Sequence, residues 1–211
     1  MSSALTGFQA DVARLFFGLP ASQGFLLAGG AALITQELIV RPTEDLDFFT
    51  TRAPDVVTAR DALEAAVAEQ GWSSRRARDG ATFVRLEIIG PERVLVDLAL
   101  DSAPGSPAVV TVIGPSFAPE ELAGRKLVAL FDRAEARDFT DVHALAERYG
   151  KAFLLRRAAE VDQGFDERVL AEMFRFLPRW KDDDLPVPPD EVGAVREFFA
   201  DWARELEAPA E

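Results

Sequence analysis

The chain has 211 residues, 48% of them hydrophobic, with 36 acidic against 23 basic side chains and a formal net charge of −13. That is enough chain for one domain or two small lobes with a real core. There is no cysteine, which excludes disulfide partners and thiolate metal sites, and a single histidine, His143, excludes multi-histidine zinc sites.

No apolar stretch approaches the ~20 residues needed to span a bilayer, so no membrane partner is expected. Met1 to Gly18 carries Asp11 and Arg14 within an amphipathic pattern and reads as neither signal peptide nor anchor. A cytoplasmic protein is the simplest reading. Phe8, Val12, Leu15 and Phe16 recur at helical spacing, which predicts a helix over Leu5 to Gly18. Pro20, Ser22 and Gly24 mark a turn, and Phe25-Leu26-Leu27-Ala28 reads as a short buried strand. Gly29-Gly30 follows, then a helix-favouring run from Ala31 to Leu38. Two glycines let the backbone approach an anion closely, and a helix N-terminus adds unpaired N–H donors. A Gly-Gly between strand and helix is also an ordinary turn.

Pro42 and Thr43 break that helix before Asp45-Leu46-Asp47-Phe48-Phe49, which alternates like a strand and so puts both carboxylates on one face. Two like charges side by side are unfavourable without a cation between them, and aspartate is a poor strand former. Hard cations such as Mg²⁺ take carboxylate oxygens together with substrate phosphates. The competing reading is the exposed face of an edge strand. Asp55 to Gln70 is a helix candidate. Strands are predicted over Trp72 to Arg78, Ala81 to Ile89 and Val94 to Leu100, with turns at Asp79-Gly80 and Gly90-Pro91, and Val109 to Ile113 as a further candidate. Asp97 lies in the middle of the last long apolar strand, where a carboxylate needs a partner or a metal.

From Pro119 onward helices are predicted over Pro119–Arg133, Arg137–Tyr149, Lys151–Val161, Asp166–Leu177 and Pro189–Leu206, with Pro178 to Pro189 as an exposed connection. Phe174, Phe176, Trp180, Phe198, Phe199 and Trp202 are assigned to the core of the last helices, and His143 to packing or surface. The expected organisation is α+β: a mixed-sheet lobe over residues 1–118 and a helical lobe over 119–211. Acidity is concentrated at the end, where residues 158–211 hold 15 acidic and 6 basic side chains. Residues 112–157 hold 7 acidic and 8 basic ones, so the overall charge does not veto a local basic surface for nucleic acid. Arg75, Arg76 and Arg78 are basic too, but edge strands commonly carry charge to prevent pairing.

The text LAGGAALITQELIVRPTEDLDFFT, with Arg41 ahead of the acidic pair, resembles the first motif of the nucleotidyltransferase superfamily of the polymerase-beta type. It is most similar to the AbiEii-like branch, the toxins of type IV toxin–antitoxin systems that include the mycobacterial MenT proteins. ELAGRKLVALFDRAEARDFTDVHAL is similar to the Lys-Leu…Arg-Asp-x-x-Asp helices of the same branch, so the resemblance covers roughly residues 20 to 150. It implies that Gly29 and Gly30 grip a triphosphate, that Asp45, Asp47 and Asp97 hold Mg²⁺ (or Mn²⁺), and that Asp97 activates the attacking hydroxyl. Lys126 would neutralise phosphate charge, with Asp141 or Asp138 orienting it or touching the nucleotide. Many relatives have Ser where Gly30 stands.

Thr43 is counted with the nucleotide contacts, close enough to the metal site that a phosphate on it would add competing charge. Arg125, Arg133 and Arg137 are the candidate RNA contacts. The implied activity is transfer of a nucleoside monophosphate from an NTP, with pyrimidines preferred, to the 3′ end of tRNA. Such transfer blocks translation and is restrained by a cognate antitoxin. Two alternatives stay open: modification of a small molecule such as an aminoglycoside or of a protein, and an idle binding or antitoxin module. Intact Asp45 and Asp47 argue against the idle module.

Overall fold

A computed structural model describes residues 5–208. Residues 1–4, the start of the stretch read against a signal peptide, lie outside the described residues, as do 209–211. The chain divides into two compact units, Met1–Pro119 and Glu120–Glu211.

In the first unit, α1 (Gly7–Phe17) opens on a capping box between Thr6 and Gln9, which satisfies two end donors at once. β1 (Leu26–Ala28) leads directly into α2 (Gly29–Thr35), so the helix begins at the glycine pair itself. β2 (Asp45–Thr50), α3 (Ala53–Glu69), β3 (Ser73–Asp79), β4 (Phe83–Ile89) and β5 (Arg93–Leu100) follow. Two short strands, β6 (Val109–Val110) and β7 (Pro115–Ser116), complete a seven-stranded mixed sheet of order β3-β4-β5-β2-β1-β7-β6. The pairings β2–β5 and β1–β7 are parallel and the others antiparallel.

Strand alternation divides the sheet into two faces. Leu46 and Phe48 of β2, Val96 and Leu98 of β5, and Val84 and Leu86 of β4 are fully buried or nearly so. They face the helices: Phe16 of α1 stacks on Phe48 at 4.3 Å, and Arg76 of β3, which shares this face, reaches Glu64 of α3 at 2.6 Å. The opposite face carries Asp45, Asp47 and Phe49 on β2, and Asp97 and Ala99 on β5.

The second unit comprises α4 (Pro119–Arg133), α5 (Ala136–Tyr149), α6 (Lys151–Val161), α7 (Glu167–Phe174) and α8 (Val192–Glu207). A Cβ on Gly124 would lie 2.8 Å from the Arg157 backbone, so α4 and α6 approach as closely as glycine permits. Phe174, Phe199 and Trp202 are buried as expected. Phe176, Trp180 and Phe198 are only half-buried, each with a polar or cationic edge contact: Trp180 donates to Ala134 O at 3.0 Å, and Arg179 lies over Phe176. His143 packs edge-on against Phe198 at 4.9 Å. No helix among the described residues is long and apolar enough to cross a membrane.

Three expectations are corrected. Only Val109–Val110 of the candidate strand pairs, and β7 had no strand signature because Pro and Ser pair poorly. There Ser116 Oγ anchors the strand by donating to Leu27 O at 3.0 Å. The helix predicted to run to Leu177 ends at Phe174, ahead of a 3₁₀ turn, Leu177–Arg179. The connection from Pro178 to Pro189 is pinned rather than simply exposed: Leu185 is buried, and Arg196 bonds Asp182 and the Trp180 carbonyl at 2.7 Å each.

Candidate active site

Ala28, the last residue of β1, pairs with Asp47 across the antiparallel ladder. The turn into α2 therefore starts beside the carboxylate strand. Gly29 has φ +60°, and a Cβ there would overlap the Asp47 carboxylate, lying 2.7 Å from its Cγ. Both the left-handed backbone and the space demand glycine. A Cβ on Gly30 would lie 2.9 Å from Thr43 Oγ1 and 3.1 Å from Arg41 Nη2. The space a side chain would need at Gly30 is thus taken by the side chains of Thr43 and Arg41. The N-cap of α2 is Ala28, which has no side-chain acceptor to offer the first N–H donors of the helix.

Asp45 and Asp47 occupy one face of β2. Asp45 is buried and accepts a bond from Thr43 Oγ1 at 2.9 Å; Asp47 is more open. The loop ahead of them is fixed from α1, where Gln9 Nε2 donates to Thr43 O at 2.6 Å. Arg41 is buried and donates to Pro42 O at 2.9 Å. Parallel pairing sets Asp97 of β5 level with Asp47, on the same face. Its two oxygens accept from Arg85 of β4, Nε at 2.7 Å and Nη2 at 2.5 Å. The hydrogen bonds that Arg85 donates to Asp97 are the main force raising the Arg85 pKa further above its ordinary value, with smaller help from the charges of Asp45 and Asp47.

The donor set of Asp45 and Asp47 fits a hard cation, which takes one or two carboxylates plus substrate phosphates. The resemblance also implied Asp97 as a metal carboxylate; among the described residues no group of three or more His, Cys, Asp or Glu is placed to hold a metal. Asp97 is engaged by Arg85. Sequence reasoning missed Arg85 and Gln9. The Gly90-Pro91 turn offered a signal for the first, since an antiparallel register through it aligns Arg85 with Asp97.

In the helical unit, Lys126 is buried and bonds Asp138 at 3.3 Å and Asp141 at 3.0 Å. Its surroundings exclude the solvated helix face that is the default for a lysine. Burial pushes the Asp138 carboxyl up, but Lys126 and Arg133 outweigh it and hold the group below the usual carboxylate range. Arg133 Nε bonds Asp138 at 2.9 Å, and Arg137 Nε bonds Glu135 at 3.0 Å. The expected RNA contacts are not alike. The Arg125 side chain is 11% exposed against 43% for Arg133 and 33% for Arg137, because it lies along its own helix on the buried carboxylate of Glu121.

Solved structures share this fold. JHP933 from Helicobacter pylori is 20% identical over 97% of this chain and 95% of its own, with a TM-score of 0.60. MenT4, a nucleotidyltransferase toxin from Mycobacterium tuberculosis H37Rv, is 18% identical over 94% and 90%, with a TM-score of 0.62. A nucleotidyltransferase described as putative, also from H. pylori, is 19% identical over 96% and 98%, at 0.59. No curated protein matches the chain. The chain is a nucleotidyltransferase, as its family shows. The family model described as nucleotidyl transferase AbiEii toxin, type IV toxin–antitoxin system, matches residues 14–210, and the chain belongs to that family.

Proposed function

We propose that the chain transfers a nucleoside monophosphate from an NTP, preferably a pyrimidine nucleotide, to the 3′ end of tRNA in the cytoplasm. Translation is thereby blocked until a cognate antitoxin restrains the activity. One observation supports the chemistry above all: Asp45 and Asp47 share a strand face against a glycine pair whose first member has no room for a Cβ.

In this reading Asp45 and Asp47 hold Mg²⁺ (or Mn²⁺). Bound there, the cation would neutralise phosphate charge and align the entering and leaving oxygens. Backbone N–H groups at Gly29 and Gly30 bind the triphosphate, the role a serine hydroxyl shares in relatives. Thr43 holds the Asp45 carboxylate in one orientation. Lys126 serves first as the buried counter-charge of Asp138 and Asp141. RNA phosphates meet Arg133 and Arg137 rather than Arg125.

The test is to incubate the protein with each labelled NTP, Mg²⁺ or Mn²⁺, and one acceptor at a time: total tRNA, an aminoglycoside, or protein. Label on the tRNA 3′ end from a pyrimidine NTP, lost in Asp47→Asn, is expected. Label on the aminoglycoside or the protein, with none on RNA, would replace the acceptor proposed.

A further inference from the structure

The sheet face that carries the carboxylate pair does not end at Asp97. Register pairs Asp47 with Asp97, Asp97 with Arg85, and Arg85 with Arg78, one row across β2, β5, β4 and β3. A second row runs from Asp45 through Leu95 and Glu87 to Arg75. Alternation along β5 adds Arg93 to the same face. A register shift between Arg76 and Arg78 interrupts β3. Without it Arg75 and Arg78 would point to opposite faces; an extra residue at Ala77 turns both toward the carboxylate side, as bulges do when they re-aim a side chain.

We propose that Arg75, Arg78, Arg85 and Arg93 form a track for the phosphate backbone of the RNA acceptor, on the face that carries Asp45 and Asp47. This rests on the RNA reading above and adds a contact surface on the sheet. On β3, β4 and β5 this face has four cations against two anions, Glu87 and Asp97, while Asp45 and Asp47 lie on β2, so the positive charge gathers away from the carboxylate pair. Glu87 is buried and is bonded by Arg75 (Nε at 2.6 Å) and by Arg93, yet those two side chains remain 67% and 64% exposed. Arg78 lies over the Phe83 ring at 5.0 Å and Arg85 at 5.9 Å. Stacking on a ring fixes a guanidinium plane and leaves its N–H edge for phosphate, so less freedom is lost on binding.

Spacing separates this track from the nucleotide site. Strands lie about 4.8 Å apart, which puts the Arg78 backbone about 14 Å from that of Asp47. Triphosphate oxygens belong at the carboxylate pair itself, so a phosphate on β3 belongs to the acceptor. Protection of a sheet edge accounts for charge and for a bulge on β3, but not for the gathering of Arg75 and Arg78 on the carboxylate face. Arg76, which points the other way, is bonded to Glu64 and Asp79 at 2.6 and 2.9 Å.

The experiment measures fluorescence anisotropy of a labelled single-stranded RNA with the acceptor-end sequence of tRNA, across a salt series. For the double variant Arg75→Gln/Arg78→Gln we expect affinity to fall about fivefold or more at low salt, and the log–log salt slope to flatten by roughly 0.7 per lost contact. Arg76→Gln, the loss of one charge on the other face of the same strand, should bind as wild type. NTP binding should survive in both. Wild-type affinity in the double variant, or equal weakening in Arg76→Gln, overturns the track alone. Polyglutamate bound as tightly as RNA of equal charge would reassign the surface to an acidic protein. A wild-type protein that binds no RNA at all overturns both this inference and the RNA acceptor.

Discussion

Two places in the molecule bring carboxylates together, and they handle the repulsion differently. In the helical unit Asp138 and Asp141 share Lys126, a lysine 6% exposed, and Arg133 adds a further bond to Asp138. That cluster carries its own cations and is sealed. On the sheet, Asp45 and Asp47 stand beside the glycine pair that opens α2, and the Arg85 guanidinium on that face bonds Asp97, one strand over from Asp47. A cluster neutralised from within reads as scaffold. One set beside the glycines that open a helix reads as a place for a ligand's cation.

The largest expected effect breaks the second cluster. Asp45→Asn or Asp47→Asn removes charge stabilisation of several kcal/mol from phosphoryl chemistry, so label transfer should fall about 10³-fold or more. The circular dichroism spectrum should stay unchanged. Full transfer in either variant contradicts the assignment. Next comes the first cluster. Lys126→Ala removes the cation shared by two buried carboxylates, of which Asp138 keeps Arg133, and should cost about 3 kcal/mol in urea unfolding. Loss of activity in that variant alone therefore says nothing of catalysis, and adding Asp141→Asn should recover part of the stability. If Lys126→Ala melts as wild type, the scaffold reading is wrong.

A smaller effect is expected on the sheet, at an ion pair beside the carboxylate pair. Arg85→Gln leaves the 4%-exposed Asp97 without its bidentate partner, at a cost of about 1–2 kcal/mol since the arginine is itself partly solvated. It also frees a third carboxylate beside Asp47, so calorimetric Mn²⁺ affinity should rise. Unchanged affinity would mean that Arg85 does not compete for that position. The smallest effect is a pH dependence. The folded-state pKa of Asp138 is depressed by Lys126 and Arg133. Its contribution is therefore complete above the ordinary value of about 3.9 and is lost as pH falls through the lower folded value, at up to about 1.4 kcal/mol per unit. Urea midpoints between pH 6 and 3 should fall more steeply in wild type than in Asp138→Asn, and parallel curves would contradict this.

Much of this comparison was legible in the sequence, because its parts are local. Alternation alone places Asp45 and Asp47 on one face, and helical spacing sets Lys126, Asp138 and Asp141 on consecutive helices. What was not legible depends on register and packing. Arg85 meets Asp97 only once the β4–β5 ladder is aligned, and the Ala77 bulge is invisible without its partner strand. Arg125 and Arg133 look equivalent in one dimension; burial of Glu121 beneath the first separates them. β7 escaped because one Pro-Ser pair joins the sheet through a parallel contact with β1, not through propensity.

The central claim, that Asp45 and Asp47 beside Gly29 and Gly30 form a cation–nucleotide site, is tested most directly by thermal unfolding with Mg²⁺ and a non-hydrolysable NTP. A ligand at 100 times its dissociation constant adds about 2.7 kcal/mol to the native state, so wild type should melt several degrees higher. Asp47→Asn without ligand should melt no lower than wild type, since repulsion is relieved, and should gain nothing when ligand is added. An equal gain in both proteins would place the nucleotide elsewhere and contradict the account.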